Sequence, residues 1–311
     1  MRTESQNQFR KLTYLEGVVN QQAYQIQQLQ QQNYSLKTNL QRQKENCLAL
    51  QEYKAKVNKV INILLIILLV SCLCIVGWCG YSIYKQYTEG HTPVDENVLV
   101  ETEVEQPIDK RKPKKKTKKY LSLNWVKLKQ KYPNIIGWLY IPNTNINFPV
   151  VQNKQDGNFY LTHSAEDKPS ELGAIFLDNT QPNNFSDENT IVYGHSVDFV
   201  GGMFTDLTKF VDKEFFDKNK EFYILTPKTN YKVGIRVFAE TVDGSSYYVV
   251  DSKGQKTEVE KTQKQNAMHY RNITSKGNLI TLSTCKPQTY GAKKYVLQGV
   301  LTKYEGKIEV K

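Results

Sequence analysis

One cysteine near the C-terminal end of this 311-residue chain is the strongest candidate for chemistry. Cys285 ends an apolar, β-branched run that begins at Leu279, so it lies at the end of a predicted strand, where a side chain can emerge into a cleft. A thiolate is a strong nucleophile, and it needs a nearby base or cation to form near neutral pH. This residue and its position therefore predict covalent chemistry through a thiol.

Histidine is the side chain that most often serves as the base in such a site. The four histidines are His91, His163, His195 and His269. His195 follows the predicted strand Thr190–Tyr193 and precedes a loop, which is the same strand-end placement as that of Cys285. This placement favours His195 as the general acid–base, with His163 and His269 as alternatives in surface-like contexts.

Short β-rich runs separated by turn signals fill the chain after Tyr120 and would position these residues. The predicted strands are Ile146–Val151, Ala174–Leu177, Thr190–Tyr193, Phe222–Leu225, Tyr231–Ala239, Leu279–Thr284 and Tyr295–Leu301. Helical spacing appears at Leu121–Tyr132, Phe204–Phe216 and about Glu258–Arg271. Many short strands with irregular links predict a mainly β domain, an antiparallel barrel or a sandwich with helical insertions.

An uncharged stretch of 25 residues, 60–84, is long enough to cross a bilayer as a helix. Three lysines precede it closely, Lys54, Lys56 and Lys59, and only Lys85 follows closely. This bias predicts a single-pass membrane protein with its N-terminus in the cytoplasm and residues 120–311 outside. Cys285 is then the only external cysteine, which indicates either a reactive thiol or an intermolecular disulfide.

Residues 1–59 form a Gln-rich arm with a heptad pattern. Apolar residues fill most a and d positions between residues 12 and 57, among them Leu12, Ile26, Leu29 and Leu40. Asn33 at an a position is typical of two-stranded parallel coiled coils. We predict a parallel homodimer through residues 12–57, with a single amphipathic helix or a disordered tail as the alternatives.

The net charge of +11 does not belong to the β domain. Residues 1–59 carry +5, residues 60–109 carry −6, residues 110–119 carry +8, and the remaining 192 residues carry only +4. A nucleic-acid-binding domain would carry its basic surface on the fold itself, so this partition argues against nucleic acid as a partner.

Residues 85–119, acidic and then polybasic, predict an extended tether, which serves either as a solvated spacer or as a contact to anionic lipid or wall polymer.

Several motifs in the β domain resemble those of class B sortases. Thr281-Leu-Ser-Thr-Cys285 resembles the family's active-site signature, and Asn189-Thr-Ile-Val-Tyr-Gly-His-Ser196 resembles its histidine segment. Asn134–Pro142, Phe148–Gln152 and Gly173–Asp178 match earlier strands of the family. The resemblance runs from about residue 121 to residue 304, with the motifs in the family's order.

The resemblance implies an eight-stranded sortase-type β-barrel and a cysteine transpeptidase in the membrane of a Gram-positive type of cell. Cys285 would attack a backbone carbonyl in the C-terminal sorting signal of a secreted protein. His195 would protonate the leaving amine and then assist an incoming amine, from a cell-wall precursor or a pilin. The helix near residues 258–271 would be the class B insertion, and neither a metal nor a cofactor is implied.

One position departs from the family pattern. The family places an arginine on the strand after the cysteine, and alignment puts Lys294 there, with Lys293 as the fallback. Lysine keeps the charge but lacks the rigid, multi-donor guanidinium. Lys294 could substitute, Arg236 or Arg271 could reach in, or the enzyme could be impaired. A degenerate sortase-like scaffold and a thiol hydrolase therefore remain alternatives to the transpeptidase.

Overall fold

The computed structural model describes residues 2–90, 100–103, 118–197, 201–287 and 292–310. By its internal contacts the chain forms two units, residues 1–78 and residues 79–311.

The N-terminal arm and the apolar stretch form one continuous helix, α1 (Arg2–Gly90). Its most apolar 18-residue window has a mean hydropathy of 3.0, and none of that window is buried. Among the described residues, this is the one helix long and apolar enough to cross a membrane. The arm is helical, as expected for either a coiled coil or a single amphipathic helix. Leu12 and Leu29, at a and d positions of the heptad pattern, are exposed in the single chain. Pairing of two arms stays a prediction.

Twelve strands are present among the described residues. They are β1 (Val100–Glu103), β2 (Lys118–Leu121), β3 (Ile135–Tyr140), β4 (Asn147–Val151), β5 (Ile175–Leu177), β6 (Asn189–Tyr193), β7 (Glu221–Leu225), β8 (Asn230–Thr241), β9 (His269–Tyr270), β10 (Leu279–Cys285), β11 (Lys294–Lys303) and β12 (Glu309–Val310).

Eight of these strands close into the predicted barrel. The order is β11-β10-β6-β5-β4-β3-β7-β8, and pairing of β11 with β8 completes the circle, while β9 lies outside on β8. The expected antiparallel pattern has two exceptions, since β4 pairs with β5 and β6 pairs with β10 in parallel. A parallel partner requires a long crossover, and β7, β8, β9 and the helices lie between β6 and β10 in the chain.

The barrel interior is the main apolar core of the domain. Ile280 and Leu282 of β10 point inward with Leu297 of β11, and all three are fully buried. Alternation along a strand sends their neighbours to the outer face. That outer face carries Thr281, Ser283 and Cys285, so the site lies outside the barrel wall.

Three helices have bounds that differ from the predicted ones. The first, α2 (Trp125–Lys131), starts late because β2 precedes it, and the Asn124 side chain accepts a hydrogen bond from the Lys127 N–H at its N-terminus. The predicted helix 204–216 is a 3₁₀ segment, Thr205–Val211, followed by α3 (Lys213–Lys218). The insertion helix, α4 (Lys256–Gln265), ends early because β9 pairs with β8.

Part of the predicted tether is folded. β1 pairs antiparallel with β2, which also pairs with β12, so residues 100–103 belong to a three-stranded sheet rather than to an extended spacer. Residues 91–99 and 104–117, which include most of the polybasic run, lie outside the described residues.

Candidate active site

Three neighbouring strand ends bring the predicted residues to one edge of the barrel. In the β6–β10 pair, Tyr193 lies beside Ser283. His195 and Cys285 each follow two residues later, so they leave the two parallel strands at the same level. On the other side of β10, Cys285 lies directly opposite Lys294. A single register therefore aligns β6, β10 and β11 at the thiol.

Lys294 contacts the thiol. Its Nζ atom lies 3.4 Å from the Cys285 sulfur, and its side chain is 18% exposed. Cys285 is free and partly exposed, so a substrate can reach it. A lysine ammonium beside a thiol is the kind of contact that stabilises a thiolate. Alternation along β11 puts Lys294 and Val296 on one face of the strand. Val296 packs in a cluster on the outer face of the barrel with Tyr247.

His195 is held by backbone groups around it. Its Nε2 atom lies 2.9 Å from the Leu161 carbonyl oxygen, and a carbonyl only accepts, so Nε2 carries a proton. This leaves Nδ1 as the second ring nitrogen available for proton transfer. Among the described side chains, His195 and Cys285 are not hydrogen-bonded to each other. The ring packs closely against Gly173, where a Cβ atom would lie 3.0 Å from the His195 Cδ2 atom.

The other two histidines take part in contacts elsewhere. His163 stacks on Phe159 at a centroid distance of 3.9 Å, and its Nδ1 atom lies 3.0 Å from the Phe159 carbonyl oxygen. The His269 Nε2 atom lies 2.8 Å from the Val211 carbonyl oxygen. Neither histidine follows a strand that borders β10, so the strand-end criterion selects His195.

The layer below the thiol is tyrosine-rich. The Tyr248 hydroxyl lies 2.7 Å from the Ser283 hydroxyl, one pleat below Cys285 on the same face. Burial raises the pKa of Tyr248 to about 12 and that of Tyr193 to about 12, so both phenols stay neutral through the physiological range. Tyr248 comes from the 3₁₀ segment Ser246–Tyr248 and had no recognisable motif in the sequence.

The next layer down is a buried polar network that accounts for Arg236. The Arg236 guanidinium, 5% exposed, donates to the side-chain oxygens of Gln263 on α4 and of Gln298, the latter at 2.9 Å. Gln298 in turn donates to the Thr281 hydroxyl at 2.9 Å, and Thr281 donates to Asn189 at 2.8 Å. Arg236 therefore ties the insertion helix to the strands of the site.

Arg271 is also engaged away from the thiol. Its guanidinium donates to the carbonyl oxygens of Ile235 at 2.8 Å and of Phe216 at 2.5 Å. Of the basic residues considered for the family's arginine position, only Lys294 contacts Cys285 in the described part of the chain. The fallback Lys293 instead pairs with Glu240 at 2.7 Å.

Two carboxylates from β8 and the loop after it surround these lysines, and sequence reasoning missed both. Asp243 lies 3.6 Å from the Lys294 ammonium. Glu240 contacts Lys286 at 2.6 Å and Lys293 at 2.7 Å, so it holds both ends of the connection between β10 and β11. Hydrogen bonds from Lys286 and Lys293 lower the pKa of the Glu240 carboxyl below its ordinary value.

This arrangement suits acyl transfer through a covalent thioester. It provides a thiol, an adjacent cation and a histidine at the level of the thiol, all at an accessible edge. No cluster of three or more His, Cys, Asp or Glu side chains with metal-binding geometry occurs in the described ranges.

Comparison with known proteins relates the domain that carries this site to a known family. Residues 139–302 match the sortase domain family. A sortase B of Listeria monocytogenes is 36% identical over 174 residues, which cover 54% of this chain and 70% of the relative. A Streptococcus pyogenes class B sortase involved in pilus biogenesis superposes with a TM-score of 0.52 at 28% identity, over 58% of this chain and 98% of the other. The Staphylococcus aureus sortase B–substrate complex shares the fold, with a TM-score of 0.53 at 23% identity, over 58% and 85% of the two chains.

Proposed function

The chain belongs to the sortase family, within its class B, and we propose that it is a membrane-anchored cysteine transpeptidase of the cell surface. Its substrates would be secreted proteins with a C-terminal sorting signal, which it would cleave and join to an amine. The observation that carries this proposal is the alignment of Cys285 with Lys294 and His195 at the ends of three adjacent strands.

In the first half-reaction, the Cys285 thiolate attacks the carbonyl carbon of the scissile peptide bond. The carbon–sulfur bond forms while the carbonyl π electrons move to oxygen. When the intermediate collapses, the carbon–nitrogen bond breaks, and protonated His195 donates a proton to the leaving amine. The product is a thioester on Cys285 and a released C-terminal peptide.

In the second half-reaction, an amine attacks the thioester carbonyl. Neutral His195 takes a proton from the attacking nitrogen, the carbon–sulfur bond breaks, and a new amide forms. The thiolate and the imidazolium return, so the cycle balances. Splitting one difficult acyl transfer in this way replaces a high barrier with two lower ones.

Lys294 would act at the position of the family's arginine. Its ammonium, 3.4 Å from the sulfur, would favour the thiolate before attack and lie near the oxygen that becomes negative during attack. A lysine offers one point charge rather than a planar fork, so it would hold the substrate carbonyl less rigidly.

The accepting amine would come from a cell-wall precursor or from another surface protein such as a pilin. The pilus role of the streptococcal relative supports the second possibility. Hydrolysis would result if water replaced the amine, and a scaffold without catalysis would leave the thiol unused. The contact between the thiol and Lys294 favours catalysis over the scaffold, because a scaffold needs no cation beside a thiol.

The organisation of the chain supports attachment to the membrane. We propose that residues 60–84 span the bilayer with residues 1–59 in the cytoplasm, that residues 85–119 tether the domain, and that residues 120–311 act outside. The long apolar helix and the lysines before it support this orientation.

The proposal is tested in the native cell. Cells that carry Cys285→Ala should lose one or more covalently attached surface proteins, and each loss identifies a substrate. Cys79→Ala, which removes a thiol in the apolar stretch, is the matched control and should leave the attached proteins unchanged. Identical surface proteins in wild-type and Cys285→Ala cells would contradict the proposal.

A further inference from the structure

A cavity of about 820 Å³ opens at the end of the barrel away from the thiol. Its wall includes Asn278, which precedes β10, and Leu301–Lys303 at the end of β11. Cys285 lies at the other end of β10, six residues on from Leu279, which corresponds to about 20 Å of extended strand. A ligand in this cavity would therefore leave the active site open.

Four lysines from four separate elements line this cavity. Lys129 lies on α2 and Lys303 ends β11, while Lys228 and Lys276 lie in the turn after β7 and in the segment before β10. All four are exposed, and no aspartate or glutamate lines the cavity. Within the described residues none of the four forms an ion pair, whereas Lys213 and Lys218 on α3 each pair with a neighbouring carboxylate.

The rest of the lining is apolar or neutral. Ile135, Phe185 and Leu301 are buried side chains that border the cavity, and the amides of Asn183 and Asn184 stand exposed at its edge. Concentrated positive charge around an apolar base suits a ligand that carries negative groups on a carbon framework. A strongly hydrated small anion would gain nothing from the apolar part.

We propose that this cavity binds an anionic polymer of phosphodiester groups joined by short carbon units. Lysines recognise phosphate as point charges and need no fixed geometry, so a repeating polymer can slide among the four. The volume lies within the range of ligand sites and is much larger than one phosphate. Bound there, the polymer would hold the catalytic domain in a polyanionic matrix, independently of the chemistry at Cys285.

The test uses the full-length protein in detergent and a synthetic oligomer of glycerol phosphate. Lysine acetylation, read by mass spectrometry, should show at least threefold protection of Lys228, Lys276 and Lys303 by the oligomer. Lys213, Lys218 and Lys261, which lie on other surfaces, should show no protection. Protection should be the same in Cys285→Ala, which separates this site from the transpeptidase proposal.

Two triple variants, which each lose three positive charges, complete the test. Replacing Lys228, Lys276 and Lys303 together with Gln should weaken oligomer binding at least tenfold and flatten its salt dependence. The same change at Lys213, Lys218 and Lys261 should alter binding less than twofold. Equal loss in both variants, or protection only by anionic lipid vesicles and not by the soluble oligomer, would overturn the proposal.

Discussion

Lys294 and Cys285 face each other across the β10–β11 pair, with the ammonium nitrogen 3.4 Å from the sulfur. The backbone register, rather than a flexible loop, places the two residues opposite each other. A cation already beside the reacting atoms can stabilise negative charge with little reorganisation during the reaction, which is the main source of electrostatic catalysis. The Asp243 carboxylate, 3.6 Å from the same ammonium, partly offsets this charge.

Replacing Lys294 should slow acylation of Cys285. We expect Lys294→Gln to reduce the rate of thioester formation by about 10²–10³, the usual cost of losing one oxyanion donor. Single-turnover trapping of the acyl-enzyme with a substrate identified in the native cell measures this rate. Lys293→Gln is the matched control, because Lys293 pairs with Glu240 and should change the rate much less. An unimpaired Lys294→Gln variant would exclude the role.

Removing the carboxylate beside Lys294 should speed acylation of Cys285. We expect Asp243→Asn to raise the rate of thioester formation, because Asp243 lies 3.6 Å from the Lys294 ammonium and partly offsets its charge at the reacting centre. The measurement is single-turnover trapping of the acyl-enzyme at one fixed pH. Asp251→Asn, which removes a carboxylate that makes no ion pair in the described structure, is the control. A slower rate in Asp243→Asn would rule out this role for Asp243.

Gly173 should be required for the position of His195. Its φ of +61° is left-handed, and an added Cβ would lie against the Tyr160 carbonyl oxygen and the His195 ring. We expect Gly173→Ala to lower the free energy of unfolding by about 1–3 kcal/mol. We also expect the activity of the protein that remains folded to fall, because the added Cβ would displace the His195 ring. Gly244 has a φ of +77° with open space around it, so Gly244→Ala isolates the backbone cost. Urea unfolding measures the stability of the two variants, and turnover measures their activity. If Gly173→Ala and Gly244→Ala lowered stability and activity equally, contact of the new Cβ with the His195 ring would not contribute.

The buried Arg236 network should contribute stability rather than chemistry. Arg236→Met leaves the side-chain oxygens of Gln263 and Gln298 without a charged donor, at a cost of about 1–3 kcal/mol. Urea unfolding measures this cost. Lys261→Met, at an exposed position on α4, should have little effect. If Arg236→Met abolished thioester formation while its unfolding curve stayed unchanged, Arg236 would belong to the active site.

Low pH should weaken the ion pairs that Glu240 makes with Lys286 and Lys293, the residues that flank the connection between β10 and β11. Because folding lowers the pKa of Glu240 below its ordinary value of 4.5, its stabilising contribution is complete above that value and is lost as the pH falls through the folded-state pKa. We expect the melting temperature of wild type to fall more steeply below pH 4.5 than that of Glu240→Gln. Glu214→Gln, on the exposed face of α3, serves as the control and should follow wild type.

Most of the strands and helices that the sequence could predict were indicated by patterns within a few consecutive residues. The strand that ends at Cys285 was predicted almost to the residue because a β-branched apolar run is bounded by turn signals on both sides. The 204–216 segment was harder, since its apolar residues fit a helix while the chain forms a 3₁₀ segment and a short helix. The parallel β6–β10 pair was missed because strand neighbours far apart in the chain leave no local pattern.

The sequence alone indicated Cys285 as the candidate nucleophile, a mainly β domain and the apolar helix, because each of these depends on residue types within a short window. The eight-stranded barrel was expected only from the resemblance of the ordered motifs to those of class B sortases. Only the tertiary structure decided which basic residue lies beside the thiol. Arg236, Arg271, Lys293 and Lys294 were all admissible by charge, and the register of β11 on β10 placed Lys294 at the sulfur while packing engaged the other three elsewhere. Asp243 and Tyr248 lie near the site for the same reason. Pairing of β8 with β11 closes the barrel and brings the segment after β8, which carries both residues, beside strands that are distant in the chain.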